Sequence, residues 1–201
     1  DPASSFWVRE HATCVPDGPW GIDTVVQYRT TDVLPDLDAR AVVAAGDGGV
    51  WAGAASGLAR RAPEAGGFVA VAELPGSGPV TGLAASANGG VRVARGAWVG
   101  VVGADGAISD GFEADAPVER LADCDGDGYV VAGGRLMRIG ADALVPLAHE
   151  VPGTVHDVAC LASVPWAATS DGLFRLDDGG WASAWAPGVA VRVVAAGGGR
   201  V

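Results

Sequence analysis

The chain keeps returning to one short pattern. Gly48-Gly49-Val50-Trp51-Ala52-Gly53, followed by Gly57-Leu58-Ala59-Arg60, recurs in altered form at Gly89-Gly90-Val91, at Asp127 to Arg138, and at Val164 to Arg175. Anchored on Val50, Val91, Tyr129 and Pro165, the copies stand 41, 38 and 36 residues apart, and a further step of 36 reaches Val201. A unit this short cannot bury an apolar face alone, so neighbouring units must stack to make a core.

Within a unit the cues are for strands. Val42-Val43-Ala44-Ala45 is a short apolar run of the kind that buries both faces. Gly48-Gly49 supplies a tight hairpin, Val50 to Ala54 a second strand, and Gly57 to Arg61 the start of a third. Phe68 to Leu74 reads as a fourth, before Pro75-Gly76-Ser77-Gly78-Pro79 breaks the pattern. The first strand of each unit also repeats. Val80 to Ala84, Val118 to Ala122, Val155 to Ala159 and Val191 to Ala195 align, with small residues where sheets would converge on an axis. No segment shows a capped helical period.

A period near 40 with several strands per unit predicts an all-β chain, a β-propeller. The predicted units are 39–75, 80–117, 118–154 and 155–189. A composite fifth blade forms from 190–201 plus 1–38, and the whole is one domain. Strands near Phe6–Glu10, Thr13–Val15 and Thr24–Arg29 would complete the unit begun by Val191–Gly197. Sharing a blade between the termini hides sheet edges that invite aggregation. The alternative is a fragment of a larger ring.

Composition narrows the function. The net charge is −11, all 13 cations are arginines, and the one basic doublet, Arg60-Arg61, sits at a hairpin end. Phosphate backbones require clustered cations, so nucleic acid is not the expected partner. No apolar run approaches the length of a membrane helix. The start Asp1-Pro2-Ala3-Ser4-Ser5 fits an exported terminus after leader removal, or a piece of something longer. Of three cysteines, Cys14, Cys124 and Cys160, one pair could form a disulfide in an oxidising compartment; all three could equally be small buried hydrophobes.

Tyr28 to Pro35, then Val42-Val43, Asp47 to Gly53 and Gly57 to Arg60, together resemble the two-component regulator propeller repeat. Val33 replaces the usual glycine of that pattern and Ala54 its threonine. The fourth unit matches through Trp166, Asp171-Gly172-Leu173 and Arg175. The second has Arg92 at the tryptophan position, and the third has Val130 there. The resemblance implies a propeller that often forms the extracytoplasmic sensing part of membrane receptors. It implies no catalytic set.

Several residues are candidates for chemistry. Asp123, Asp125 and Asp127 alternate before a glycine, half of a calcium loop, although Val131 and Gly134 stand where a later ligand would be. The competing reading of Asp127-Gly128 is a plain hairpin turn. Cys124, His156 and Cys160 occupy comparable places in adjacent units, a set a soft metal would accept. There is no Gly-x-Ser-x-Gly elbow, and Asp177-Asp178-Gly179-Gly180 reads as turn chemistry. Seven tryptophans outnumber four phenylalanines and two tyrosines. Trp51, Trp166 and Trp7 fall in the strand register, as wedges between blades. Trp98, Trp181, Trp185 and Trp20 fall outside it, and the first three are candidates for binding sugars, peptides or proteins.

These readings predict a non-catalytic extracytoplasmic module of bacterial type, periplasmic, secreted or at the cell surface, that binds a protein partner or small ligand. No cofactor is expected except a calcium ion. A structural subunit of an envelope or surface assembly is the alternative, and a propeller lyase or hydrolase a third.

Overall fold

The structure is a computed structural model. It describes residues 38–71, 73–86, 89–185 and 187–194 in full, together with the backbone of four strands nearer the N-terminus.

Those four strands are β1 (Ser5–Arg9), β2 (Ala12–Thr13), β3 (Gly21–Ile22) and β4 (Val25–Arg29). β1 pairs with β4, Ser5 opposite Arg29, and β2 pairs with β3, Ala12 opposite Ile22. The two pairings form two separate two-stranded sheets among the described residues. Three strands were expected here; the described residues give four, paired β1 with β4 and β2 with β3, while Cys14 and Val15 of the expected middle strand lie outside the described residues. Trp7, Trp20, His11 and Cys14 have side chains outside the described residues.

Four antiparallel four-stranded sheets follow. The first contains β5 (Ala39–Ala44), β6 (Val50–Ala54), β7 (Leu58–Arg61) and β8 (Val69–Ala70). The second contains β9 (Val80–Ala85), β10 (Val91–Arg95), β11 (Trp98–Val102) and β12 (Ile108–Glu113). The third contains β13 (Val118–Cys124), β14 (Asp127–Ala132), β15 (Arg135–Ile139) and β16 (Leu144–Pro146). The fourth contains β17 (Val155–Leu161), β18 (Val164–Thr169), β19 (Gly172–Asp177) and β20 (Gly180–Trp185). No described residue is helical, so no helix is long and apolar enough to cross a membrane.

Strands pair in chain order within each sheet, and the first strands β5, β9, β13 and β17 lie side by side from sheet to sheet. The sheets therefore stack face to face with their first strands innermost. This close approach demands glycine at particular positions. A Cβ on Gly53 would stand 2.4 Å from Val80 Cγ1, and one on Gly82 would stand 2.7 Å from Leu121 Cβ. The core fills the spaces between sheets: Trp51, Leu58, Val80 and Val93 between the first and second, Val118 and Val130 between the second and third, Tyr129, Val131 and Val155 between the third and fourth.

Each inner strand carries a register shift at its second residue: Arg40, Thr81, Glu119 and His156 each lack a directly opposed partner. Such a bulge increases local twist, which suits a strand at the crowded inner edge. At the same end, the turn after the second strand holds the next unit. Val118 N donates to Gly96 O, Val155 N to Gly134 O and Val191 N to Thr169 O, each at 2.8 Å.

Three expectations change here. The run Val42-Val43-Ala44 does not bury both faces: β5 alternates half-buried and exposed residues, with Val42 exposed. The fourth strand of the first unit is only Val69–Ala70, because Phe68 and Leu74 both turn into the core and Glu73 takes a positive φ of 53°. Residues Val191–Val194 form no strand, although Val194 N donates to Asp157 Oδ2 at 3.1 Å. Of the rest of the predicted composite blade, 195–201 lies outside the described residues, and of 1–38 only Asp38 and the backbone of β1–β4 are described.

Candidate functional site

The hairpins joining first to second strands all emerge at one end of the sheets, and there each sheet is clasped to the next. In the first hairpin Gly48 takes a φ of 84°, and Asp47 Oδ1 accepts from Gly49 N at 3.0 Å. Asp47 Oδ2 pairs with Arg60, whose guanidinium lies 5.5 Å from the Trp51 ring centre. Trp51 is fully buried, and its indole N–H donates to Gly89 O of the second sheet at 3.1 Å.

Strand pairing identifies the residue at this rung in the other sheets. Trp51, Arg92, Tyr129 and Trp166 each precede by three the residue that faces the start of the inner strand. The third unit thus keeps an aromatic at this rung, Tyr129 rather than Val130; the two-residue turn at Asp125-Gly126 shifts the alignment by one. Burial pushes the Tyr129 hydroxyl above its ordinary value of 10.0; nearby Asp127 adds to the rise and Arg138 opposes it.

Arg92 makes the second clasp. Its Nε donates to Asp123 Oδ2 at 3.1 Å and its Nη2 to Gly126 O at 3.2 Å. The third clasp is covalent: Cys124 and Cys160 form a disulfide with Cα atoms 5.4 Å apart, joining β13 to β17. This settles which cysteines pair, and it removes both thiolates from the proposed set with His156. Beside it Ser163 Oγ donates to Asp125 Oδ2. Ala162 and Ser163 both take positive φ, 47° and 65°, as do Asp125 and Gly126 in the preceding hairpin.

The candidate calcium residues are placed by these contacts. Asp123 accepts from Arg92 and from Gly126 N at 2.7 Å, Asp125 faces Ser163 in the next hairpin, and exposed Asp127 pairs in the ladder opposite Cys124. Alternation along a strand and turn sends the three carboxylates to different partners, and among the described residues no three acidic, imidazole or thiol groups gather as a cation site.

Between the second and third hairpins lies an open groove of about 420 Å³, lined by Ala85, Ser86, Arg92, Val101, Asp123, Asp125 and Gly126. Arg92 Nη1 and Asp125 Oδ1 make no hydrogen bond to another described residue. The groove thus offers a cation and an anion over an apolar floor of Ala85 and Val101. This pairing was not visible in the sequence, where Arg92 read only as a missing tryptophan.

The tryptophan candidates separate. Trp98 is 4% exposed and covers the backbone of Gly100 and Gly111, where any Cβ would strike its ring, so it is core and not an exposed anchor. Trp181 is half-buried, its indole N–H donating to His149 O at 3.1 Å. Trp185 is 65% exposed, at the far end of β20 from the hairpin Asp177–Gly180. The three do not form one surface. Asp157 was not singled out in the sequence. It is nearly buried, accepts from Val194 N and stands 3.5 Å from Arg120 Nε of the neighbouring sheet.

No family model matches the chain, and a comparison with curated proteins finds no match either. Solved structures do match. A catalytically inactive virginiamycin B lyase from Staphylococcus aureus superposes with a TM-score of 0.63 at 15% identity, over 82% of this chain and 61% of that one. The Cps50 (Swd1) β-propeller domain from Myceliophteria thermophila gives 0.58 at 18% identity, over 70% and 52%. The extracellular domain of a protein described as a one-component system, from B. thetaiotaomicron, gives 0.58 at 19% identity, over 75% and 23%. The fold is a β-propeller. At these identities the likeness extends to the fold alone, and the chain spans less than two thirds of the length of these propellers.

Proposed function

We propose that this propeller is a non-catalytic binding module that works outside the cytoplasm, and that the groove between its second and third sheets takes a small polar ligand or a polar side chain of a protein partner. The observation that carries the reading is the groove itself. Among the described residues, Arg92 Nη1 and Asp125 Oδ1 have no hydrogen-bond partner there, on walls held by clasps to the neighbouring sheets. A rigid scaffold with polar groups over an apolar floor suits recognition, because little ordering entropy is lost on binding. The disulfide supports an oxidising compartment, and the likeness to an extracellular domain agrees with it.

Titration calorimetry with zwitterionic dipeptides and with neutral oligosaccharides tests the reading. A ligand in the groove loses affinity at least about tenfold in both Arg92→Ala and Asp125→Asn, the cost of one hydrogen bond to a charged group. Binding that survives both substitutions places recognition elsewhere. A second reading, a subunit of a surface assembly, draws on the exposed apolar side chains of Trp185, Val189 and Val193 near the end of the described chain.

A further inference from the structure

The outer edges of the four sheets are not alike. β8 has two residues. β16 has three and ends in Pro146. β12 carries Asp110 and Glu113, Asp110 takes a φ of 43°, and the pairing slips between Gly100 and Val101. Shortness, proline, charge and bulges are the means by which an edge strand avoids pairing with another chain. β20 has six residues, Gly-Trp-Ala-Ser-Ala-Trp, with no charge and no proline. Its one irregularity falls near its end, where the slip opposite Leu173 and Phe174 leaves Ala184 unopposed. No described residue pairs with its outer side, so among the described residues every second N–H and C=O of β20 has no ladder partner.

We infer that β20 accepts an extended polypeptide from a partner as an added strand, one with apolar residues for Trp185 and a basic residue at the end facing Asp177 and Asp178. The small side chains of Ala182, Ser183 and Ala184 leave the edge open, and Ser183, Ala184 and Trp185 are exposed. Main-chain hydrogen bonds supply affinity in such complexes, and flanking side chains supply preference. Charge complementarity sets the partner's chemistry. Asp177 and Asp178 are exposed at the start of the strand, residues 177–185 contain no cation, and the whole chain carries −11. That same charge disfavours a second copy as the occupant. Arg175, exposed on β19 across from Ala182, places the partner's basic residue at the Asp end and not at mid-strand.

The probe is a fluorescein-labelled octapeptide of alternating valine and threonine ending in two lysines, read by anisotropy against the whole chain. Saturable binding is expected. Ser183→Lys and Ala184→Lys should each weaken it at least about tenfold, since a cation on the edge opposes the peptide's own. A peptide ending in two glutamates should bind about tenfold more weakly than the lysine peptide, and Asp178→Asn should narrow that gap. The proposal is overturned if the wild type shows no binding. It is also overturned if either lysine variant, with wild-type circular dichroism and unfolding midpoint, binds as the wild type does. Light scattering that shows wild-type dimers split by Ser183→Lys would assign the edge to a second copy, and would equally overturn it.

Discussion

The joint between the first and second sheets and the joint between the third and fourth solve the same problem with different chemistry. In the first, a fully buried indole reaches across to Gly89 O, under an Arg60 that also holds Asp47. In the other, a disulfide crosses from β13 to β17 beside Asp125 and Ser163. The aromatic at the corresponding rung, Tyr129, is retained there in the core between those sheets. The contrast teaches that the repeat conserves a slot and not a residue. Any group that fills the space and satisfies the neighbouring hairpin can occupy it, so long as the backbone register is kept.

The comparison can be broken most sharply at Trp51. Trp51→Ala removes the largest buried side chain of the first joint together with its hydrogen bond, and should cost about 5 kcal/mol, the upper end for such truncations. Urea denaturation measures it. The other joint should prove less dependent on one side chain. Cys124→Ser with Cys160→Ser, or reduction of the native protein, opens a link spanning 36 residues and should cost about 4 kcal/mol through loop entropy. Equal midpoints for oxidised and reduced protein would remove the covalent clasp from the account.

Tyr129 sharpens the contrast through pH. Its folded pKa is raised by burial and then by Asp127, so the native state holds the proton longer than the unfolded chain. The contribution of Tyr129 to stability is therefore fully present below pH 10.0 and is lost as pH rises from there through the raised value. Denaturation between pH 9 and 11 (a range of about two units around the ordinary tyrosine pKa) should show this decline, and Tyr129→Phe should lessen it. At Ala162 the hairpin holds an alanine at φ 47° where the third sheet places Asp125. Ala162→Gly should stabilise the fourth sheet by about 1 kcal/mol, read as a higher unfolding midpoint. The smallest effect belongs to Arg135–Glu150, an ion pair whose side chains are 68% and 79% exposed. Arg135→Ala should shift stability by less than about 0.5 kcal/mol, because solvent screens the pair.

Much of the fold was legible because recurrence is a local property of sequence. Gly-Gly turns, short apolar runs and the returning Leu-x-Arg each mark a strand end or a strand without reference to distant residues, but the turn read at Asp127-Gly128 falls at Asp125-Gly126, and Asp127 opens β14. The bulges at Arg40, Thr81, Glu119 and His156 were not legible, since they answer to how tightly the inner strands converge. The same holds for Tyr129, whose rung depends on a two-residue turn upstream. Trp98 looked like a spare aromatic because nothing local tells that Gly100 and Gly111, facing each other across β11 and β12, leave the space its ring fills.

The candidate site was less legible still. Asp123 and Asp125 stood out, but as a calcium loop. Their partners, Arg92 and Ser163, lie 31 and 38 residues away, and a spacing near one repeat is uninformative until the sheets are stacked.

By itself the amino-acid sequence determined the all-β character, the unit length and the order of strands within a unit, because hydrogen-bonded hairpins are decided by neighbours in the chain. Only the tertiary structure decided which cysteines join, which carboxylates are committed to arginine or serine, where an open groove remains, and which edge is bare. Those depend on distances between units, and no pairwise spacing along one chain encodes how adjacent sheets turn toward each other.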